Sequence, residues 1–277
     1  MYTNVFLICD GKLVFDVIGF LEEMKRDVDR TVIWTGGNVG ALVLFLKCLG
    51  FTFPQMASRI EEFEFIEDFV HGGNLEMTAK TYMLQYATQW IDSIFEDKKL
   101  FKPDITLKEV YKMTNIFPNF ITFKDKITRL NPVETPDLKL RDCVLASLTN
   151  YGVFPSYNGY SSFSDINPFP KEMNYTVLEN PKTLYIANYS EIEDSKLGTY
   201  TQRIEMDITN IYFKRLYHIV KNDLDIALVN GLWESKVSSY SIEKSMENGA
   251  AHARMFTNGD DTTEYMKILL SGVKNQS

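Results

Sequence analysis

The sequence predicts an α/β fold of three layers, α/β/α, around a mainly parallel central sheet. Two short runs, "NVFLICDG" and "RTVIW", are each followed by a helical pattern, and strand–helix–strand–helix in that order implies a βαβ crossover. "VGALVLFLKCLG" is almost wholly apolar, as a helix covered on all sides must be.

The elements follow in order. "NVFLICDG" is a short buried strand ending in a turn. "VIGFLEEMKRDV" sets Val17, Ile18, Leu21 and Met24 at helical spacing with charges opposite. "RTVIW" is a β-branched strand feeding the apolar helix. "TFPQMASRIEEFEF" and "NLEMTAKTYMLQYATQWIDSIF" continue as amphipathic helices. "NFITFKDKITRLNP" alternates like two strands around a turn. "TPDLKLRDCVLASLTNY" opens at Pro136 and Asp137 and runs on as a helix. "YGVFPSYNGYSSFSDINPFP" is a loop by its Gly, Pro, Ser and Asn content. "KTLYIANYS" is a late strand; "IYFKRLYHIVKNDLDIALVNG" and "DTTEYMKILLSGV" are late helices. No repeat or Gly/Ser linker divides the chain, so residues 1–277 read as a single domain.

At 277 residues and 45% hydrophobic content a sizeable core can form. A net charge of −8 with no long Lys/Arg run argues against nucleic acid as a partner. It also repels an anionic membrane on average, though a local basic patch could still dock there. No apolar run reaches the roughly 20 residues of a membrane span. Cys9, Cys48 and Cys143 are far apart in apolar contexts, which suits reduced thiols in a cytoplasmic compartment. The three histidines are scattered too, and without HExxH or CxxC spacing no metal or cofactor is implied. "MYTNVFLICDGK" reads as a first strand, not a signal peptide. Frequent Asn, Lys, Ile, Tyr and Phe fit an AT-rich genome such as that of a large DNA virus or a protist; a viral source would place the protein in host-cell cytoplasm or a virion.

The chemically informative stretch is "TGGNVGALVLF". A helix following directly on a strand presents free N–H groups and a positive dipole end at the turn. An anion cradle of the GxxxxGK[ST] kind is absent. Gly36-Gly37-Asn38-Val39-Gly40 instead has G-x-S-x-G spacing with Asn at the centre. Asn tolerates a left-handed backbone and can hold such a turn. Its carboxamide is no acyl-transfer nucleophile, because the nitrogen lone pair is delocalised. The plainer reading is a tight strand-to-helix connection with no chemistry.

The stretch resembles the nucleophile helix of patatin-like phospholipases, G-T-S-A-G-A-L leading into an apolar helix that ends in Leu-Gly. Gly36, Gly40, Ala41, Leu42, Leu49 and Gly50 match that frame. "GFLEEM" is similar to the family's first helix. "TLKEVYKMT", "TPDLKLRDCVLAS" and "GVFP" follow three further family motifs in order. The resemblance covers residues 1–170; residues 171–277 continue the domain with no specific match. It implies a parallel sheet between helices and acyl-ester hydrolysis by a Ser–Asp dyad. A glycine-rich loop after the first strand would supply N–H donors to the oxyanion.

Three departures fall on the catalytic parts. Asn38 occupies the serine position. The oxyanion loop reads "CDGKLV", where Cys9, Asp10 and Val14 replace glycines and Gly11 and Lys12 remain. A Cβ at those positions restricts the turn, an ionised Asp10 opposes a developing oxyanion, and losing one donor costs about 3–4 kcal/mol. The candidate dyad residue, Asp165, sits in "SDINPFP" without the following glycine. The resemblance therefore implies a pseudoenzyme with no intact catalytic residue, serving in binding, structure or assembly; the alternative is an atypical lipid acyl hydrolase. Thr35, Cys9 and Ser147 are other candidate nucleophiles, each more readily read as strand-end or core packing. Lys12 could meet an anion or be a solvated loop lysine. Tyr151, Phe154, Tyr157, Tyr160 and Phe163 offer either a surface for a protein partner or lipid, or a loop folded over its own core.

Overall fold

Strands β1 (Asn4–Cys9) and β2 (Ile33–Asn38) run parallel, with Asn4 beside Ile33 and Cys9 beside Asn38. The computed structural model describes residues 1–9, 13–63, 77–124, 127–148, 157–160, 182–189, 225–230 and 241–258. Four more strands, β3 (Phe117–Phe123), β4 (Ile127–Leu130), β5 (Thr183–Tyr189) and β6 (Asp225–Asn230), complete a sheet of order β4-β3-β2-β1-β5-β6. Among the described strands only the β3–β4 pairing is antiparallel, as the alternation on either side of "KDK" predicts.

Helix α1 (Val14–Glu23), continued by the short α2 (Lys25–Val28), links β1 to β2. Helix α3 (Gly40–Cys48) follows β2 after one residue. Its residues Ala41 to Leu46 are all fully buried, so the run is apolar all round for the expected reason. Helices α4 (Phe53–Glu61) and α6 (Leu107–Thr114) begin with capping boxes, Thr52 with Gln55 and Thr106 with Glu109. Between them α5 (Met77–Asp97) sets Trp90 and Phe95 against Phe45 of α3, with ring centroids 6.3 and 5.5 Å apart. Helix α7 (Leu140–Leu148) lies over β3, where the Thr122 hydroxyl donates to the Ala146 carbonyl at 2.8 Å.

Side-chain alternation divides the sheet. Val5, Leu7, Trp34, Phe120, Leu184 and Ile186 join the helices in one hydrophobic core. On the other face Phe6 stacks on Tyr185, with centroids 4.7 Å apart, and a polar row crosses the strands. Asn131 Nδ2 donates to Asn119 Oδ1 and Asn119 Nδ2 to Thr35 Oγ1, both at 3.3 Å. These residues are buried as well, so their mutual hydrogen bonds offset desolvation.

Two expectations need correcting. "DIALVN", expected within a helix, is strand β6, because the open edge of β5 supplies a ladder of partners. The segment expected to open a helix at Pro136 does so only at Leu140. Residues 135–139 are first tied to the start of α6, with Leu107 N donating to the Leu138 carbonyl and Leu140 N to that of Ile105. The last described helix, α8 (Ile242–Asn258), has no counterpart among the predicted elements. It crosses α1 so closely that a Cβ on Gly249 would lie 1.8 Å from the Asp16 carbonyl oxygen, and one on Gly19 2.1 Å from that of Met246. The late helix expected in "DTTEYMKILLSGV" lies outside the described residues.

Candidate functional site at the β2–α3 corner

Asn38, the last residue of β2, has φ +50°. Val39 has already returned to right-handed helical values, and α3 starts at Gly40. A single left-handed residue therefore converts strand into helix, which confines the centre of the turn to Gly or a short polar residue. Two glycines close the corner. A Cβ on Gly36 would stand 2.6 Å from the Gly40 carbonyl oxygen, and a Cβ on Gly40 2.9 Å from that of Leu7. Gly37 is different: its Cβ would meet Ile121 at 3.4 Å, ordinary contact. The spacing G-x-N-x-G thus has a steric cause at both ends. Asn38 itself is part-exposed at the carboxyl end of the sheet.

Cys9 lies beside Asn38 in the register of β1 and β2 and is buried at 2% exposure. Its Sγ is 3.4 Å from where a Gly40 Cβ would be, so it packs toward the start of α3. Thr35 projects from the other face and its hydroxyl accepts from Asn119. Ser147 is fully buried in α7, with no hydrogen-bond partner for its Oγ among the described residues. Of the three alternative nucleophiles, Cys9 alone shares the corner with Asn38. Asp10, Gly11, Lys12 and Asp165 lie outside the described residues, as do Tyr151, Phe154 and Phe163.

The loop reading of "SYNGY" missed a defined turn. Tyr157 and Tyr160 exchange both backbone hydrogen bonds at 2.9 Å across Asn158 (φ +51°) and Gly159 (φ +78°), a two-residue hairpin whose Asn-Gly signature is plain in the sequence. Both tyrosines pack against the core. The Tyr157 hydroxyl donates to Asp142 at 2.8 Å. Burial, then the Asp142 bond and charge, push its pKa up to about 12. The hairpin is thereby pinned to α7 a few residues before Asp165.

Among the described residues no cluster of His, Cys, Asp and Glu could hold a metal ion, and no helix is long and apolar enough to cross a membrane. Burial raises the thiol pKa of both Cys48 and Cys143, which keeps them protonated and inert.

No family model matches the sequence, and no curated protein sequence matches it. Solved structures do match. VipD from Legionella pneumophila superposes with a TM-score of 0.59 at 8% identity, covering 94% of this chain and 67% of VipD. ExoU, in the heterodimeric ExoU–SpcU complex from the type III secretion system of Pseudomonas aeruginosa, gives 0.53 at 10% identity, covering 94% of this chain and 52% of ExoU. The chain thus spans about two thirds of one neighbour and half of the other. Both neighbours are patatin-like phospholipases. At such identities the likeness is one of architecture, and the fold of this chain is that of the patatin-like phospholipases.

Proposed function

We propose that this chain is a patatin-fold pseudoenzyme, a binding or assembly component that does not cleave acyl esters. One observation carries the reading: the residue at the apex of the β2–α3 corner, at φ +50° between two obligatory glycines, is Asn38. A carboxamide there can donate and accept hydrogen bonds but cannot form an acyl-enzyme. The sequence of the oxyanion loop, with Asp10 in place of a glycine, supports the same conclusion. The partner is proposed to be a protein or a lipid surface, in host-cell cytoplasm or a virion. ExoU is itself found in complex with SpcU, which supports a protein partner for this fold. A single domain over residues 1–277 is part of the same proposal.

The test compares the wild type with Asn38→Ser on a short-chain p-nitrophenyl ester and on phospholipid. Neither is expected to turn over. Wild-type hydrolysis abolished by Asp165→Ala would overturn the reading in favour of an atypical lipid acyl hydrolase. Activity gained in Asn38→Ser alone would refute the part that rests on the oxyanion loop, since only the hydroxyl would then have been missing.

A further inference from the structure

We propose that a cavity at the amino end of the sheet, remote from Asn38, binds a phosphate-class anion. The cavity encloses about 510 Å³, within the range of small-molecule sites. It opens where β2 and β3 begin, between residues 29–32, the end of α3 and the residues after α6. The five residue steps of β2 separate it from Asn38 by about 16 Å.

Its charge is the first argument. Lys25, Arg30 and Lys47 line the wall and Asp29 is the one carboxylate among its described lining residues, in a chain whose net charge is −8. Asp29 Oδ1 lies 3.6 Å from Lys47 Nζ, and Lys25 pairs with Glu22 at 3.6 Å. Arg30 is exposed and has no ion pair among the described residues. The cavity between α1 and α8, about 660 Å³, shows no such excess: Glu22, Glu23 and Glu247 there face Lys25 and Arg26.

The second argument is the placement of Lys47. Its side chain is only 14% exposed, and its Nζ lies 5.1 Å from the Trp34 ring centroid and 5.0 Å from that of Phe53. Desolvation lowers its pKa against the opposing pull of Asp29, so the ammonium is held by one carboxylate at 3.6 Å and two ring faces. A phosphate bridging Lys47 and Arg30 would add a second counter-charge through charge-assisted hydrogen bonds, the guanidinium offering a fork to two oxygens. Phe51 and Phe53 give the rest of such a molecule an apolar wall.

The anion has two possible sources, a soluble phosphomonoester or a lipid headgroup. Beside the cavity Lys98 sits over the Phe51 ring at 4.1 Å, and Leu100 is 74% exposed on the turn that follows.

Melting points measured at constant ionic strength with inorganic phosphate, glycerol 3-phosphate or chloride test the site, because a ligand that binds the folded form raises its melting point. Co-sedimentation with phosphatidylcholine vesicles, with and without phosphatidic acid, separates the two sources. A rise with phosphate beyond that with chloride is expected. Arg30→Gln, at an exposed position, should leave the phosphate-free melting point unchanged while weakening apparent affinity roughly tenfold or more. Lys47→Met should weaken it further. A rise with glycerol 3-phosphate assigns a soluble ligand; binding to phosphatidic acid vesicles, lost in Arg30→Gln, assigns a headgroup. Responses that match chloride in every arm, or that persist undiminished in Arg30→Gln, would overturn the proposal. Asn38→Ser should leave these responses untouched, so this site and the proposed loss of catalysis stand or fall separately.

Discussion

An alanine at Gly36 would place its Cβ 2.6 Å from the Gly40 carbonyl oxygen and 2.9 Å from the Gly40 carbonyl carbon. Both atoms are backbone and open the first turn of α3, so no side chain can swing aside. Relief requires the helix start to retreat by roughly half an ångström. That helix is buried along its length, and overpacking of this kind costs about 1–3 kcal/mol. Gly37 is the internal control. It has the same chemistry and lies one residue along, and neither glycine has a positive φ. Its Cβ would find only ordinary contact with Ile121 at 3.4 Å. There alanine should be neutral, or stabilising by about 0.4–1 kcal/mol through the lower entropy of the unfolded chain. The two variants should therefore differ by roughly 1–4 kcal/mol. Urea unfolding followed by tryptophan fluorescence gives the comparison, with the slope of free energy against urea unchanged if only stability moves. Coincident midpoints, or Gly37→Ala the weaker protein, would refute the claim that Gly36 and Gly40 close a sterically filled corner.

The buried thiols predict alkaline lability. Cys48 and Cys143 keep their protons in the folded state above the ordinary 9.0, where the unfolded chain has released them. The folded state then binds more protons, so stability falls as pH rises past about 9, by up to about 1.4 kcal/mol per pH unit for each thiol. Lys47 opposes this only in the window between its lowered pKa and 10.5. Urea midpoints from about pH 8 to 10 should fall in the wild type and fall less in Cys48→Ala or Cys143→Ala; equal slopes would contradict the assignment. Gly249→Ala should detach α8 from α1, because a Cβ 1.8 Å from the Asp16 carbonyl oxygen also breaks the 2.7 Å bond from Asn248 to Asp16. A loss of at least about 3 kcal/mol is expected, with hydrogen exchange in α8 rising before that in α3; protection retained in α8 would show that the crossing tolerates the methyl.

Much of the architecture was written locally. The apolar run of α3, the alternation around β3 and β4, and the Thr-x-x-Gln and Thr-x-x-Glu starts of α4 and α6 are periodicities and caps that a few neighbouring residues determine. The G-x-N-x-G spacing marked the corner at Asn38 in the same way. Tertiary structure decided what depends on partners far along the chain. "DIALVN" became a strand only because β5 offered an edge. The small residues of α8 look weakly hydrophobic until Gly19 and Gly249 bring two backbones together. Lys47 reads as a routine helix-end cation, yet Trp34, Phe53 and Asp29, drawn from three different segments, make it the wall of a cavity. Hydrophobic period and capping act over a turn or two, and so they are legible in sequence. Strand pairing, close backbone approach and the electrostatics of a cavity arise between segments that only folding brings into contact.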